Sequence, residues 1–545
     1  MLLTSCSSKL GSLSADNFKV TPNPLETEAG KVPATINGMF PEKYMKKKAV
    51  VTVTPELRYA DGQVARGTSA TFQGEKVEGN DQTISYLVGG NYTMKTSFDY
   101  VPAMQKSDMY LTFDAKVGKK VVSVPAVKVA TGVISTSELY GRTLTGAQGC
   151  VAPDAFQRVT TEKQEANVKF LIQQADLRKS ELQNNSVKEF VQLLQKINAD
   201  KEGLNLNNVE VSAYASPDGG VELNDKLANR RQQNSEKYVA QQLKKAKLET
   251  EVDAKYTAQD WEGFQQLVAA SNIQDKDVIL RVLSMYKDPE EREQQIKNMS
   301  AGFKELADGI LPELRRARLT INYEVIGRDD DQIEAQLKDD ATKLSVEEML
   351  YAATLTDNVA EKENRYKKTT EVYPNDARAY NNIAAIEYAK GNYSEAKTYA
   401  QKALSIDPKS SEANANLGLL ALQAGDAKTA ETLIAKASQA DGLSEVLGNL
   451  RLAQGNYAQA EKDFGNTNSN SAALAQILNK NYSAAAKTLG NVKNPDGMTD
   501  YLTAILNARQ GNSGAAANAL RSALTKDPSL RSYAAQDLEL VNINR

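Results

Sequence analysis

The sequence predicts a multidomain α+β protein, and three features of it carry that expectation. Short runs rich in Val, Thr, Tyr and Phe recur between about residues 20 and 145, strand and helix patterns alternate after Cys150, and proline and glycine recur at a 34-residue spacing beyond about residue 345. A chain of 545 residues exceeds one ordinary core and is long enough for about three or four. The expected divisions are a tether at 1–20, a β-sandwich-like domain at 21–147, a β-α-β-α domain at 148–328 with a helical insertion at about 245–318, and a helical solenoid at 329–545.

Composition narrows the chemistry. The chain has no histidine, which removes the commonest general base and metal ligand and excludes Ser-His-Asp, Cys-His and His-zinc mechanisms. No cofactor and no metal site are expected. Asp329-Asp330-Asp331 lacks the alternating oxygen ligands, glycine and terminal glutamate of a calcium loop and reads as a linker or helix start. With 41% hydrophobic and 25% charged residues and a net charge of −3, the composition is that of an ordinary globular chain and gives no sign of a nucleic-acid partner. Lys46-Lys47-Lys48 reads as a solvated turn beside a strand. Cys6 and Cys150 are the two cysteines, and a disulfide between them is not the default expectation.

In the first domain, strands are expected at 50–54, 69–72, 83–87, 92–100, 109–113 and 121–129, a spacing that suggests a sandwich or open barrel. Pro125 marks the last run as an edge strand or two shorter pieces. In the second, strands are expected at 168–172, 209–215 and 319–325 and helices at 187–197 and 224–243. The delay before the third strand implies an insertion within one domain. Within this stretch Tyr214-Ala215-Ser216-Pro217-Asp218-Gly219-Gly220, followed by Asn224, Leu227 and Arg230-Arg231, resembles the core signature of OmpA-like domains, and the resemblance spans about 165–245 and 317–326. It implies binding of the diaminopimelate part of peptidoglycan, with Arg231 and Asn224 on matching positions. Ser216 stands where the family has its ligand-binding Asp, and Asp218 is the candidate substitute. The Ser-Pro-acidic-Gly loop is similar to that of OmpA-like envelope proteins of the Bacteroides group. Trp261 is expected to anchor the inserted helices, and Arg315, Arg316 and Arg318 to form a charged face.

From about 345 the block Tyr380, Ile383-Ala384, Glu387, Gly391-Asn392-Tyr393, Ala396, Ala403 and Pro408 resembles the tetratricopeptide repeat. Pro374 and Pro408, and Gly391 and Gly425, are one 34-residue period apart, and later turns at 455, 480 and 511 follow at shortened intervals. The resemblance implies stacked helical hairpins with a concave groove for a protein or peptide partner, for which Tyr380, Asn381 and Asn414 are candidate contacts.

At the start, Leu3-Thr4-Ser5-Cys6 resembles the lipobox of bacterial lipoproteins, without the basic start and most of the apolar region, and implies lipidation of Cys6. No apolar run of about 18 residues is present to span a bilayer. Together these resemblances imply a non-enzymatic lipoprotein of the outer membrane, on its periplasmic or cell-surface face. It would act as a scaffold or adaptor, holding protein partners by its repeats and envelope components by its OmpA-like domain. A peptidoglycan tether is the alternative, and a carboxylate-based glycoside hydrolase the third reading.

Overall fold

The computed structural model describes residues 10–60, 62–273, 275–298 and 304–543. The chain divides into two compact units, one formed by the residues up to Asp154 together with those from Asp340 onward, the other by Ala155–Asp339.

The first unit begins with nine strands, β1 Phe18–Thr21, β2 Lys31–Phe40, β3 Ala49–Tyr59, β4 Gln63–Arg66, β5 Ala70–Gly74, β6 Gln82–Ile84, β7 Gly90–Asp99, β8 Ser107–Val117 and β9 Lys120–Gly132. One sheet has the order β1-β2-β7; the other runs β6-β5-β3-β8-β9, with β4 also on β3. Alternating side chains of the two sheets share one core, in which the rings of Phe18 and Phe113 stand 6.1 Å apart. β9 is an edge strand, and its register on β8 slips between Val124 and Val127, across Pro125, as expected where a ladder donor is missing, and again between Lys128 and Ala130. β1 and β2 were not legible beforehand. β2 carries Pro33, and β1 pairs with it only as far as Thr35, so one side of β2 is open at Pro33. Gly38 is required because the Tyr92 ring on the facing strand fills the space of a Cβ.

In the second unit, β10 Val159–Lys169, β11 Leu204–Tyr214, β12 Val252–Thr257 and β13 Arg316–Ile326 form a sheet in the order β10-β13-β11-β12. β13 lies antiparallel between β10 and β11, so the segments before and after the insertion are one domain. The helices Asn185–Ala199 and Val221–Ala246 cover one face, with Phe190, Leu194, Val239 and Leu243 packed on Val168, Val211, Leu319 and Ile321. Two expectations need correction. The stretch from 245 is not helical at its start, because β12 pairs parallel with β11, and the first strand begins at Val159, not at 168. Its outer half is charged and exposed and shows no apolar alternation. The helices Trp261–Ala270, Lys276–Met285 and Pro289–Asn298 enclose a small core of their own, where Trp261 meets Phe264 edge-on at 5.7 Å.

The rest of the first unit is an array of helical hairpins. Among the described residues these are Val346–Ala352 with Val359–Val372, Ala377–Ala389 with Tyr393–Ile406, Ser411–Gln423 with Ala427–Ile434, Leu443–Ala453 with Tyr457–Phe464, Asn470–Leu478 with Tyr482–Gly490, and Gly497–Arg509 with Ser513–Lys526. The last five share one turn. Gly391, Gly425, Gly455, Lys480 and Gly511 all have positive φ, and the next residue's N–H reaches back to a carbonyl five residues earlier, as from Asn392 to Glu387 and Asn481 to Gln476. Lys480 bears a Cβ at φ 63° where the other four turns use glycine. Lys480→Gly is therefore expected to stabilise the array by ~0.5–1 kcal/mol, read as a rise in the denaturation midpoint at constant slope.

The two helices of a hairpin approach closely at small residues: a Cβ at Gly418 or Gly448 would lie 2.5 Å from Ile434 or the Phe464 ring. Glu445 is buried in the first turn of the helix Leu443–Ala453, and its carboxylate accepts from Ser469 Oγ, the cap of the helix Asn470–Leu478, at 2.9 Å and from Asn449 Nδ2 at 3.3 Å. Burial, which outweighs those two hydrogen bonds, pushes its carboxyl up to about 7. The folded state then holds a proton that the unfolded chain has already released. This contribution is intact below the ordinary carboxyl range and is lost as pH rises towards and through 7. Glu445→Gln is expected to flatten the fall in melting temperature between about pH 5 and 8, a window worth ~1–3 kcal/mol.

Candidate functional site

The segment that follows β9 does not end at a domain boundary. Residues 133–154 run the length of the array, from its last hairpins back to its first. At one end Ser135 and Tyr533 are joined through Tyr533 Oη, 2.9 Å from both the Ser135 hydroxyl and its carbonyl, and Thr136 donates to Glu539. Leu139 and Tyr140 then pack among Leu474, Ile477 and Tyr501, and Leu144 with Ala147 against Tyr388 and Leu419. Tyr388 Oη donates to Leu144 O at 2.8 Å.

From Ala147 the chain is extended and its backbone is held by asparagine side chains. Asn416 Oδ1 accepts the Cys150 N–H at 2.7 Å, while its Nδ2 donates to Cys150 O at 2.8 Å. Two residues on, Asn382 does the same for Ala152, accepting at 2.7 Å and donating at 2.9 Å. Asn381 adds a second donor to Cys150 O at 3.0 Å. A side-chain amide carries one acceptor and one donor group side by side, as a neighbouring strand does, so this pairing reads extended backbone and not side-chain identity. Cys150 is fully buried between these groups, and its burial pushes the thiol up to about 12. It is a free thiol among the described residues.

Of the expected groove contacts, Asn381 touches this segment. Asn414 is buried but turns back to Ser410 O, and Tyr380 lies under Lys402 Nζ. The principal residues, Asn382 and Asn416, were not singled out, although they occupy one repeat position 34 residues apart. The first division also moves: residues 148–154, placed in the second domain from sequence, belong to the first unit because the array holds their backbone.

In the second unit, Ser216, Asp218, Asn224 and Arg231 do converge. With Arg315 they line a cavity of about 50 Å³. Asn224 Nδ2 donates to Ser216 O and Gly219 O, fixing the loop over the start of the helix. Asp218 accepts from the Ser216 hydroxyl and pairs with Arg315 at 2.9 Å. Arg231 is only 1% exposed. Its guanidinium donates to Gln174 O, Tyr214 O and Leu171 O at 3.0, 2.9 and 3.3 Å and lies over the Phe170 ring. Burial, reinforced by Arg315, draws its pKa down to about 10. Arg231 thus ties the 171–174 turn to the end of β11, and Arg315 is the guanidinium nearer the loop carboxylate. Arg316 and Arg318 lie over Tyr214 and face Asp260 and Glu165. Cys6 lies outside the described residues.

Among the described residues, no three His, Cys, Asp or Glu side chains are grouped to hold a metal ion, and no helix is long and apolar enough to cross a membrane.

A family model, the tetratricopeptide repeat, matches residues 387–451. Among solved structures, a tetratricopeptide repeat protein of Parabacteroides merdae is similar at 15% identity, covering 46% of this chain and 98% of its own, with a TM-score of 0.29. Pseudomonas aeruginosa pilF matches at 18% identity over 40% of this chain and 99% of its own, with a TM-score of 0.27. Yeast Tom70 matches at 12% over 67% and 84%, with a TM-score of 0.26. No curated protein sequence matches the chain. The C-terminal region therefore carries tetratricopeptide repeats.

Proposed function

We propose that this chain, whose C-terminal region carries tetratricopeptide repeats, is a non-enzymatic adaptor of the bacterial cell envelope, lipid-anchored at Cys6 to the outer membrane. The observation that carries the adaptor reading is the amide pairing of Cys150 and Ala152 by Asn416 and Asn382, because an array that holds extended backbone is a protein-binding surface. That lane is filled by the chain's own segment, which fixes the sandwich to the array. Protein partners are then met by the faces left open, among them a depression of about 610 Å³ lined by Tyr393, Lys397, Leu420 and Leu433. The Leu3-Thr4-Ser5-Cys6 sequence supports the anchor, and the Gly219, Asn224, Leu227 and Arg231 pattern supports an OmpA-like second unit. Extraction of the tagged native protein in mild detergent is expected to recover an outer-membrane or secreted protein in stoichiometric amount, and fatty-acid labelling is expected to be lost in Cys6→Ala.

Peptidoglycan tethering is the second reading, favoured by the Asp218–Arg315 pair at the mouth of the small cavity. A diaminopimelate ligand would exchange this internal pair for its own ammonium and carboxylate. Sedimentation with purified cell wall, weakened by Arg315→Ala or Asp218→Ala, would support it. Retention by cell wall alone, with no protein partner, would displace the adaptor reading.

A further inference from the structure

We infer that one end of the sandwich is a docking surface for an anionic phospholipid membrane. The β2–β3 connection at 41–48, the β6–β7 connection at 85–89 and the β8–β9 turn at 116–120 all emerge at this end. The register places them together: Phe40 faces Gly90, Ala49 faces Val117, and Gly118 N–H donates to Lys48 O at 2.9 Å. The connection at 75–81 leaves from the same end, with Lys76 N–H on Lys47 O. These four segments hold eight lysines and four acidic residues, in a chain whose net charge is −3. Lys47, Lys48, Lys76, Lys116, Lys119 and Lys120 are exposed and make no ion pair among the described residues.

At one edge of this basic end, where the edge strands β6 and β7 connect, stands an apolar tip. Leu87 and Val88 are 67% and 81% exposed, far beyond what a turn between two strands requires. The tip is held firmly: Gly89 N–H donates to Ser85 O, Lys43 N–H donates to Tyr86 O, and the Lys46 ammonium lies 5.1 Å from the centre of the Tyr86 ring. A lone apolar patch would not identify its partner. Set on the same end as these exposed lysines, this one matches the boundary of a bilayer, where apolar side chains enter the acyl region and ammonium groups meet lipid phosphates.

This inference goes beyond the proposed anchor and does not depend on it, because an unlipidated full-length chain retains the surface. Such a chain is expected to sediment with vesicles of phosphatidylethanolamine and phosphatidylglycerol, to be released by about 0.5 M salt, and to leave phosphatidylcholine vesicles unbound. The paired changes Leu87→Asp with Val88→Asp, and separately Lys47→Glu with Lys48→Glu, are each expected to weaken binding by ~tenfold or more at unaltered melting temperature. Leu87→Trp supplies a second reading, since blue-shifted difference emission with anionic vesicles supports the proposal and unchanged emission overturns it. Absence of sedimentation with anionic vesicles, equal binding to phosphatidylcholine, or indifference to both paired changes also overturns it. Absence of fatty-acid labelling in the native protein, with vesicle binding by the unlipidated chain intact, would overturn the anchor alone.

Discussion

Asn416→Ala is expected to destabilise the first unit by ~2–4 kcal/mol and to expose Cys150 to thiol reagents. Among the described residues, the amide of Asn416 is the one hydrogen-bond partner of the Cys150 N–H, and it shares the Cys150 carbonyl with Asn381. Its removal strands a buried donor, which costs more than the net value of a hydrogen bond made in water. The wild-type thiol, fully buried and with its pKa raised, is expected to resist labelling until the unit opens. Mass mapping of the Cys150 peptide after a timed pulse of reagent reads this directly. Asn416→Asp keeps the acceptor but loses the donor and places a charge against a buried carbonyl, so it is expected to be no milder than alanine. Labelling and denaturation unchanged in both variants would show that the segment is held by its apolar contacts alone.

Arg231→Ala is expected to have a comparable effect on the second unit, ~3–5 kcal/mol, because three backbone carbonyls each lose a charged donor and a large buried side chain leaves a cavity. Thermal denaturation followed by circular dichroism checks it, and Arg231→Lys is expected to recover only part of the loss, since an ammonium cannot reproduce the planar fork. Any cell-wall binding would disappear in Arg231→Ala for structural reasons. Arg315→Ala and Asp218→Ala, at 12% and 17% side-chain exposure, are the informative variants for ligand recognition.

Much of the architecture was legible because it rests on local pattern. Val-, Thr- and Tyr-rich alternation marked the strands with one buried face, and the Pro and Gly spacing marked the hairpins. Strands that broke the pattern were missed for physical reasons: β2 carries Pro33 and Gly38, and β10 is charged along its exposed half. The motif from Ser216 to Arg231 was legible as a cluster, and those residues do meet. What each does there was not, since only packing reveals that Arg231 spends its guanidinium on backbone and that Arg315, about a hundred residues away in sequence, meets Asp218.

The sequence by itself determined the regularly patterned strands and helices, that the C-terminal region repeats, and that histidine chemistry is absent, because each of these is written in residue type and spacing. The tertiary structure alone decided that the repeat lane is occupied by residues 133–154 and that sandwich and array form one unit. An asparagine that pairs with backbone recognises no particular side chain, so nothing in the composition of the segment it holds announces the contact.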